Sequence, residues 1–264
     1  MINSEQLSEA ELTLCKKLRT GANGTVFLAY YGPTKENVAV KAIPINNNTK
    51  ERFVLEASAA TLFSFAAHQS IISTIECFND DSFGYIVMEA MESDLLERMD
   101  QFEDESSIKG VFKQICSAIQ QLHKHHVAHL DIKPENILLD AKNNAYLCDF
   151  GAAQSFGSNL TGPIGTVYYN APETRVSDDF DKAAADMFSL GVLLYILLTG
   201  TFPYPGESED EVLAYLHSGG TACLDDLYDE PCSAQAKNLL HSLLQTNPSK
   251  RPTISEALAH AWFC

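Results

Sequence analysis

At 264 residues and 45% hydrophobic composition, the chain can bury a sizeable core as one large domain or two small lobes. Its formal charge of −17 argues against a nucleic-acid backbone as partner, because phosphate binding needs a basic footprint. Seven cysteines (Cys15, Cys77, Cys116, Cys148, Cys223, Cys232 and Cys264) contain no C-x-x-C pair and fit reduced thiols rather than a disulfide framework or a structural metal site.

The charge is uneven along the chain. Up to Met88 there are 7 Lys+Arg against 9 Asp+Glu, leaving 11 against 26 in the remainder. This acidic excess reads first as a solvated surface and, more sharply, as a face that attracts basic peptides. The N-terminal stretch MINSEQLSEAEL lacks a basic-then-apolar signal segment. The longest apolar run, Leu190 to Leu198, is far shorter than the roughly 20 residues of a membrane-spanning helix. An intracellular protein is expected, cytoplasmic or nuclear, without membrane insertion; its oligomeric state is left open.

Short β-type runs come first, at Leu12 to Leu18, Thr25 to Tyr30, Asn37 to Ile43 and Gly84 to Met88, separated by turn residues. One helix interrupts them. It starts after Asn46-Asn47-Asn48-Thr49, which supplies N-cap candidates, and runs through RFVLEASAATLF. From Ser93 onward the pattern turns helical: Ser107 to His126, Lys182 to Leu198, Ser208 to His217, Ala234 to Leu244 and Ile254 to Trp262. A small β-rich lobe is therefore followed by a larger helical one.

The segment HLDIKPENILLD, His129 to Asp140, is followed nine residues later by Asp149-Phe150-Gly151. Together they resemble the catalytic loop and metal-binding triplet of eukaryotic-type protein kinases of the serine/threonine class, a signature that is itself a standard example of a catalytic motif. Phosphoryl transfer needs a carboxylate to orient and deprotonate the acceptor hydroxyl, and hard oxygen ligands for magnesium. The resemblance assigns the first role to Asp131 and the second to Asn136 and Asp149. Lys133 is similar to the lysine that contacts the γ-phosphate, and Thr166 to the threonine that hydrogen-bonds the catalytic Asp and Lys.

Upstream, LRTGANGTV (Leu18, Arg19, Thr20, Gly21, Ala22, Asn23, Gly24, Thr25 and Val26) resembles the kinase glycine-rich loop with its first glycine replaced by Arg19. Gly24 lies 17 residues before the lysine of VAVK, Val38 to Lys41. Lys41 resembles the lysine that pairs with the α- and β-phosphates, with Val26 and Ala39 covering one face of the adenine. Glu56 is preferred over Glu51 as the glutamate that orients Lys41, because it sits among apolar neighbours inside the helix, where a carboxylate needs a partner. By the same resemblance, Met88 is the gatekeeper, Glu89 and Met91 meet the adenine edge through their backbone, Leu138 forms the floor and Asp94 reaches the ribose.

Further on, GTVYYNAPE (Gly165 to Glu173), DMFSLG (Asp186 to Gly191) and Arg251 in NPSKRPT resemble the substrate-docking segment, central helix and last basic anchor of the large lobe. The analogy pairs Glu173 with Arg251 and has Asp186 brace the catalytic loop. Two positions depart from switchable kinases. Leu130 stands where an arginine would bind an activation-loop phosphate, and Gly162, with Thr161 beside it, stands where that phosphate is carried. The expectation is activity without loop phosphorylation, since a leucine cannot form the bidentate clamp.

His123, His125 and His126 lack the spacing of a metal cluster, and Cys148 reads as a packed thiol. The resemblance thus implies an α+β bilobal kinase-like fold over residues 12–264, with an N-lobe of about 12–88, a hinge of about 89–93 and a C-lobe of about 94–264. It implies ATP and Mg2+ as cofactors and protein substrates as partners. Glu135 and Asp94 match positions that contact basic residues before the acceptor in basophilic relatives, whereas Ile196 stands at another such acidic position. A pseudokinase-like interaction module of the same fold is the alternative, with Arg19 the one feature in its favour.

Overall fold

A computed structural model describes residues 4–21, 24–46, 49–158, 165–206, 208–218, 220, 222 and 232–264. The chain divides into two compact units, one of residues 1–92 with 148–151 and one of residues 93–147 with 152–264.

The first unit opens with a short helix, α1 (Ser4–Glu9), and continues into β1 (Leu12–Gly21), β2 (Gly24–Tyr31) and β3 (Glu36–Pro44). After helix α2 (Lys50–Phe65) come β4 (Thr74–Asn79) and β5 (Phe83–Glu89). The five strands form one antiparallel sheet in the order β1-β2-β3-β5-β4. Its central strands are rich in β-branched residues, and Val38, Val40, Tyr85 and Val87 are buried with Leu7 of α1 and Leu12.

Three details differ from the pattern read off the sequence. β1 runs on to Gly21 because pairing continues through Arg19↔Val26, Thr20↔Thr25 and Gly21↔Gly24. β4 is an additional strand, which TIECFN did not signal: it lies at the sheet edge, so its residues are only partly covered and its apolar alternation is weak. Thr49 occupies the N-cap of α2 but makes no capping bond; its Oγ1 donates to Pro44 O at 2.9 Å, while its amide donates to Asn46 Oδ1 at 3.1 Å. Asn47 and Asn48 lie outside the described residues.

The second unit carries three small strand pairings and the large helices. β6 (Ser93–Asp94), β8 (Ile137–Leu139) and β9 (Ala145–Leu147) form one antiparallel sheet, and β7 (Val127–Ala128) pairs with β10 (Gln154–Ser155). Between them runs α3 (Glu105–Lys124), which begins two residues earlier than its apolar periodicity suggests. Asp104 is the cap, accepting from Ser107 N at 2.7 Å. Its far end gives way to His126, whose φ of 56° leaves the helical region. Ile108, Val111, Phe112, Ile115, Ile119 and Leu122 form its buried stripe.

Helix α4 (Lys182–Thr199) is buried on nearly every side, as a core helix is. Among the described residues it alone is long and apolar enough to cross a membrane. Asp181 caps its start and Gly200, at φ 73°, ends it. α5 (Glu209–His217), α6 (Ala234–Leu243) and α7 (Ile254–Leu258) follow. The last helix stops at Leu258, short of Trp262, because His260 caps a separate turn, Ala261–Phe263, with Nδ1 accepting from Trp262 N at 3.2 Å. Trp262 then packs against Phe112, and its Nε1 donates to Glu105 at 2.7 Å.

Candidate active site

In the sheet unit, the β1–β2 hairpin holds the glycine-rich segment. Leu18, Arg19, Thr20 and Gly21 are exposed, Thr25 and Val26 are half-buried, and Ala22 and Asn23 lie outside the described residues. Gly24 has a φ of 146°, and a side chain there would run into the carbonyl of Ala42 on β3, so the return strand tolerates only glycine at its start. In register with this hairpin, Val26 pairs with Lys41 and Lys41 in turn with Ile86. Ala39, on the same face as Lys41, is buried. Glu89 ends β5 with its side chain exposed, while Met88 and Met91 are half-buried.

Lys41 is buried, and its Nζ donates to Glu56 Oε1 at 2.6 Å and to Asp149 Oδ1 at 2.8 Å. Burial alone would discharge such an amine. The Asp149 and Glu56 carboxylates outweigh that effect and hold the ammonium well above the ordinary lysine range. Glu56 sits on the inner face of α2 with Phe53, Ala57, Ala60 and Phe63, whereas Glu51 is exposed in the first turn. Burial lifts the Glu56 carboxyl above its usual range against the pull of Lys41. Asp149 takes a φ of 62°, and its Oδ1 also accepts from Gly151 N at 3.1 Å. Phe150 stacks on Phe63 with ring centroids 5.5 Å apart. Phe63 lies two helical turns from Glu56, so α2 meets the triplet through a ring and shares Lys41 with it through a carboxylate; the ring contact is not evident from the sequence.

In the helical unit, a second cluster gathers around Asp131. Thr166 Oγ1 donates to Asp131 Oδ1 at 2.8 Å, and Lys133 Nζ donates to Thr166 Oγ1 at 2.7 Å. Lys133 Nζ also pairs with Asp131 Oδ2 at 2.8 Å. Asn136 Nδ2 bonds both the Asp131 carbonyl, at 2.8 Å, and Asp131 Oδ2, at 2.9 Å. Among the described residues Asp131 Oδ1 therefore accepts one hydrogen bond, from Thr166, with a lone pair open. Leu138 is half-buried on β8, paired with Asp94, whose Oδ1 accepts from Glu97 N at 2.9 Å.

The loop bearing Asp131 is fixed from beneath by Asp186 on α4. This carboxylate is fully buried and accepts from His129 N and Leu130 N, each at 2.8 Å, and meets His123 Nε2 at 2.8 Å. Three polar contacts meet the cost of burying it. His123 was not singled out for this place; its proximity becomes visible only once α3 and α4 pack together. Leu130 has a φ of 62° and a buried side chain. Gly165, at φ 65°, abuts the Leu130 carbonyl, where a side chain would collide. Glu173 and Arg251 form a two-bond pair at 2.5 and 2.9 Å, with the arginine side chain wholly buried. Thr161 and Gly162 lie outside the described residues.

The protein kinase domain model matches residues 12–263, almost the whole chain. The chain belongs to the protein kinase family. Among curated relatives, mouse (Mus musculus) sperm motility kinase 3A is 29% identical over 258 residues, covering 96% of this chain and 50% of the relative. SNF-related serine/threonine-protein kinase is 31% identical over 261 residues in both Rattus norvegicus and Homo sapiens, covering 94% of this chain and 34% and 33% of the two relatives. The kinase domain thus spans half or less of the length of these relatives.

Each unit contributes one hard-oxygen donor of the kind Mg2+ takes. In the helical unit both bonds made by Asn136 use its amide nitrogen, and among the described residues its Oδ1 has no protein partner; in the sheet unit Asp149 supplies a carboxylate. No group of three or more His, Cys, Asp or Glu is gathered to cage a metal among the described residues.

Proposed function

We propose that this kinase domain transfers the γ-phosphate of MgATP to serine or threonine hydroxyls of protein substrates. The observation that carries the reading is the triangle of Asp131, Lys133 and Thr166, in which every charged end is oriented by another side chain. Asp131 Oδ1 accepts the proton of the acceptor hydroxyl as its oxygen attacks, and Thr166 and Lys133 keep the carboxylate from rotating. Lys133 also presents its ammonium to the γ-phosphate. Lys41, charged because two carboxylates surround it, binds the α- and β-phosphates. Asn136 and Asp149 would hold Mg2+, which would neutralise charge on the phosphates. In this reading Leu18 to Val26, Ala39, Glu89 and Met91 of the sheet unit are nucleotide contacts, and Leu138 of the helical unit is another.

The domain is active without activation-loop phosphorylation in this reading. Leu130 has no guanidinium, and its side chain is buried rather than offered to a phosphate. Its substrates carry basic residues before the acceptor, met by Glu135 and Asp94, and it works in the cytoplasm or nucleus.

Label transfer from γ-labelled ATP to a generic basic protein, followed by phosphoamino-acid analysis, tests the chemistry. Phosphoserine or phosphothreonine is expected, with little change after phosphatase treatment of the enzyme. Phosphotyrosine would overturn the hydroxyl class. Loss of most activity after phosphatase treatment would overturn the regulatory part.

A further inference from the structure

Helix α4 holds the catalytic loop through Asp186, and the same face of that helix carries a second buried charge. Lys182 lies one turn before Asp186, in the first turn of the helix that Asp181 caps. The residue is 5% exposed, which is rare for a lysine without a carboxylate partner. Its partners among the described residues are the Ser158 carbonyl, to which Nζ donates at 3.0 Å, and the ring of Phe180, whose centroid lies 5.2 Å from Nζ. An ammonium taken out of water depends on such an acceptor and such a ring staying in place. Burying this charge therefore fixes where the backbone at Ser158 lies.

Ser158 ends a short run that is tied down along its length. β10 pairs with β7, Phe156 N donates to His126 O at 2.8 Å and Ser158 N donates to Ser155 O at 3.0 Å. The Phe156 ring meets His123 and His126 edge-on, with centroids 5.6 and 5.7 Å away, and His123 is itself bonded to Asp186. One face of α4 thus holds two backbones: its carboxylate takes the amides of His129 and Leu130, and its ammonium takes the carbonyl of Ser158. Leu130 brings no cation to this segment, and Lys182 brings one from the helix. The segment is fixed at Ser158 by α4 and at Gly165 by the catalytic loop, where Gly165 abuts the Leu130 carbonyl. Neither contact calls for a phosphate.

We propose that Lys182 is a positioning residue for phosphoryl transfer. It pins the segment that continues in sequence to Gly165 and Thr166, whose hydroxyl orients Asp131, and it does so with a charge built into α4. The inference rests on the kinase reading above and names the contact that stands in for a phosphate clamp. Lys182 acts through the backbone it holds and touches none of Asp131, Lys133 or Thr166.

Steady-state kinetics and amide hydrogen exchange on the intact chain test the proposal together. Lys182→Met should lower kcat about tenfold while KM for ATP stays within about twofold, because alignment is lost and nucleotide contacts are not. Lys182→Arg keeps a buried cation and donor and should recover most of kcat. The amides of Phe156 and Ser158 should exchange about tenfold faster in Lys182→Met than in the wild type, with those of α3 unchanged. A lysine with only a general structural role would instead speed exchange throughout the helical unit. Should Lys182→Met fold poorly, Phe180→Leu removes the ring and leaves the carbonyl bond, and it should lower kcat about threefold with the same local change in exchange. Unchanged kcat in Lys182→Met, a loss that Lys182→Arg does not recover, or uniform exchange would each overturn the pin. A wild type that transfers no phosphate would fault the kinase reading; exchange then decides the pin by itself, local acceleration in Lys182→Met supporting it and no acceleration overturning it.

Discussion

Lys41 and Asp131 are both ringed by side-chain partners, but the two rings are built differently. Lys41 and Glu56 have side chains only 7% and 5% exposed, so their attraction acts with little water between them. Lys133 and Asp131 are 18% and 14% exposed and are cross-braced by Thr166 and Asn136. The first cluster is part of the folded interior, where removing one charge strands another. The second is an oriented set on a loop whose backbone is anchored separately by Asp186. Disrupting the first should therefore cost stability as well as transfer, and disrupting the second mainly transfer.

The largest expected effect sharpens this contrast at the second cluster. Asp131→Asn should lower the transfer rate by about a thousandfold and change unfolding free energy by less than about 1 kcal/mol. Rate measurements paired with urea unfolding check both halves. A comparable loss of stability would mean that the loop is not independently anchored.

Next comes the buried pair that has no catalytic part. Arg251→Met leaves Glu173 unpaired and also removes bonds to the carbonyls of Ala184 and Gln245, and it should cost about 3–5 kcal/mol. Arg251→Met with Glu173→Leu should recover part of that loss, because no uncompensated charge remains.

Lys41→Met should destabilise by about 3 kcal/mol, since Glu56 and Asp149 are then left as neighbouring carboxylates. Its folded pKa lies above the free-lysine value. The contribution is therefore complete below about pH 10 and lost only as pH rises through the folded value. The stability of the wild type between pH 7 and 10 should not fall on account of Lys41, and chemical denaturation at those pH values checks this.

The smallest effect is at Glu105, which ties the α3 start to the chain end by accepting from Ser233 N, Ser233 Oγ and Trp262 Nε1. Glu105→Gln should cost about 1–2 kcal/mol. Burial tends to raise the Glu105 carboxyl, but these bonds hold it below the usual range. Its contribution is then present above about pH 4.3 and lost as pH falls through the lowered folded value. The wild-type and Glu105→Gln stability curves should converge on acidification.

Much of this was legible in the sequence because the motif residues sit at short, fixed spacings. Asp131, Lys133 and Asn136 are two and five residues apart, so one loop conformation nearly fixes their relations. The preference for Glu56 over Glu51 followed from the cost of burying a lone carboxylate, and the structure places Glu56 against Lys41 and Glu51 in solvent. What was missed depends on packing between distant segments. His123 meets Asp186 across 63 positions, and Phe150 meets Phe63 only after α2 and the triplet come together. β4 carries little alternation because it is an edge strand, and the last helix is shorter than its apolar pattern suggests because the His260 cap reads like an ordinary helical residue.

The most direct test of the central claim is a single-turnover experiment with the wild-type chain, Mg2+, stoichiometric γ-labelled ATP and an excess of basic peptide. The account predicts that nucleotide binds and the label passes to a serine or threonine hydroxyl. Nucleotide bound with its label retained on ATP would contradict it and leave a kinase fold that binds without transferring.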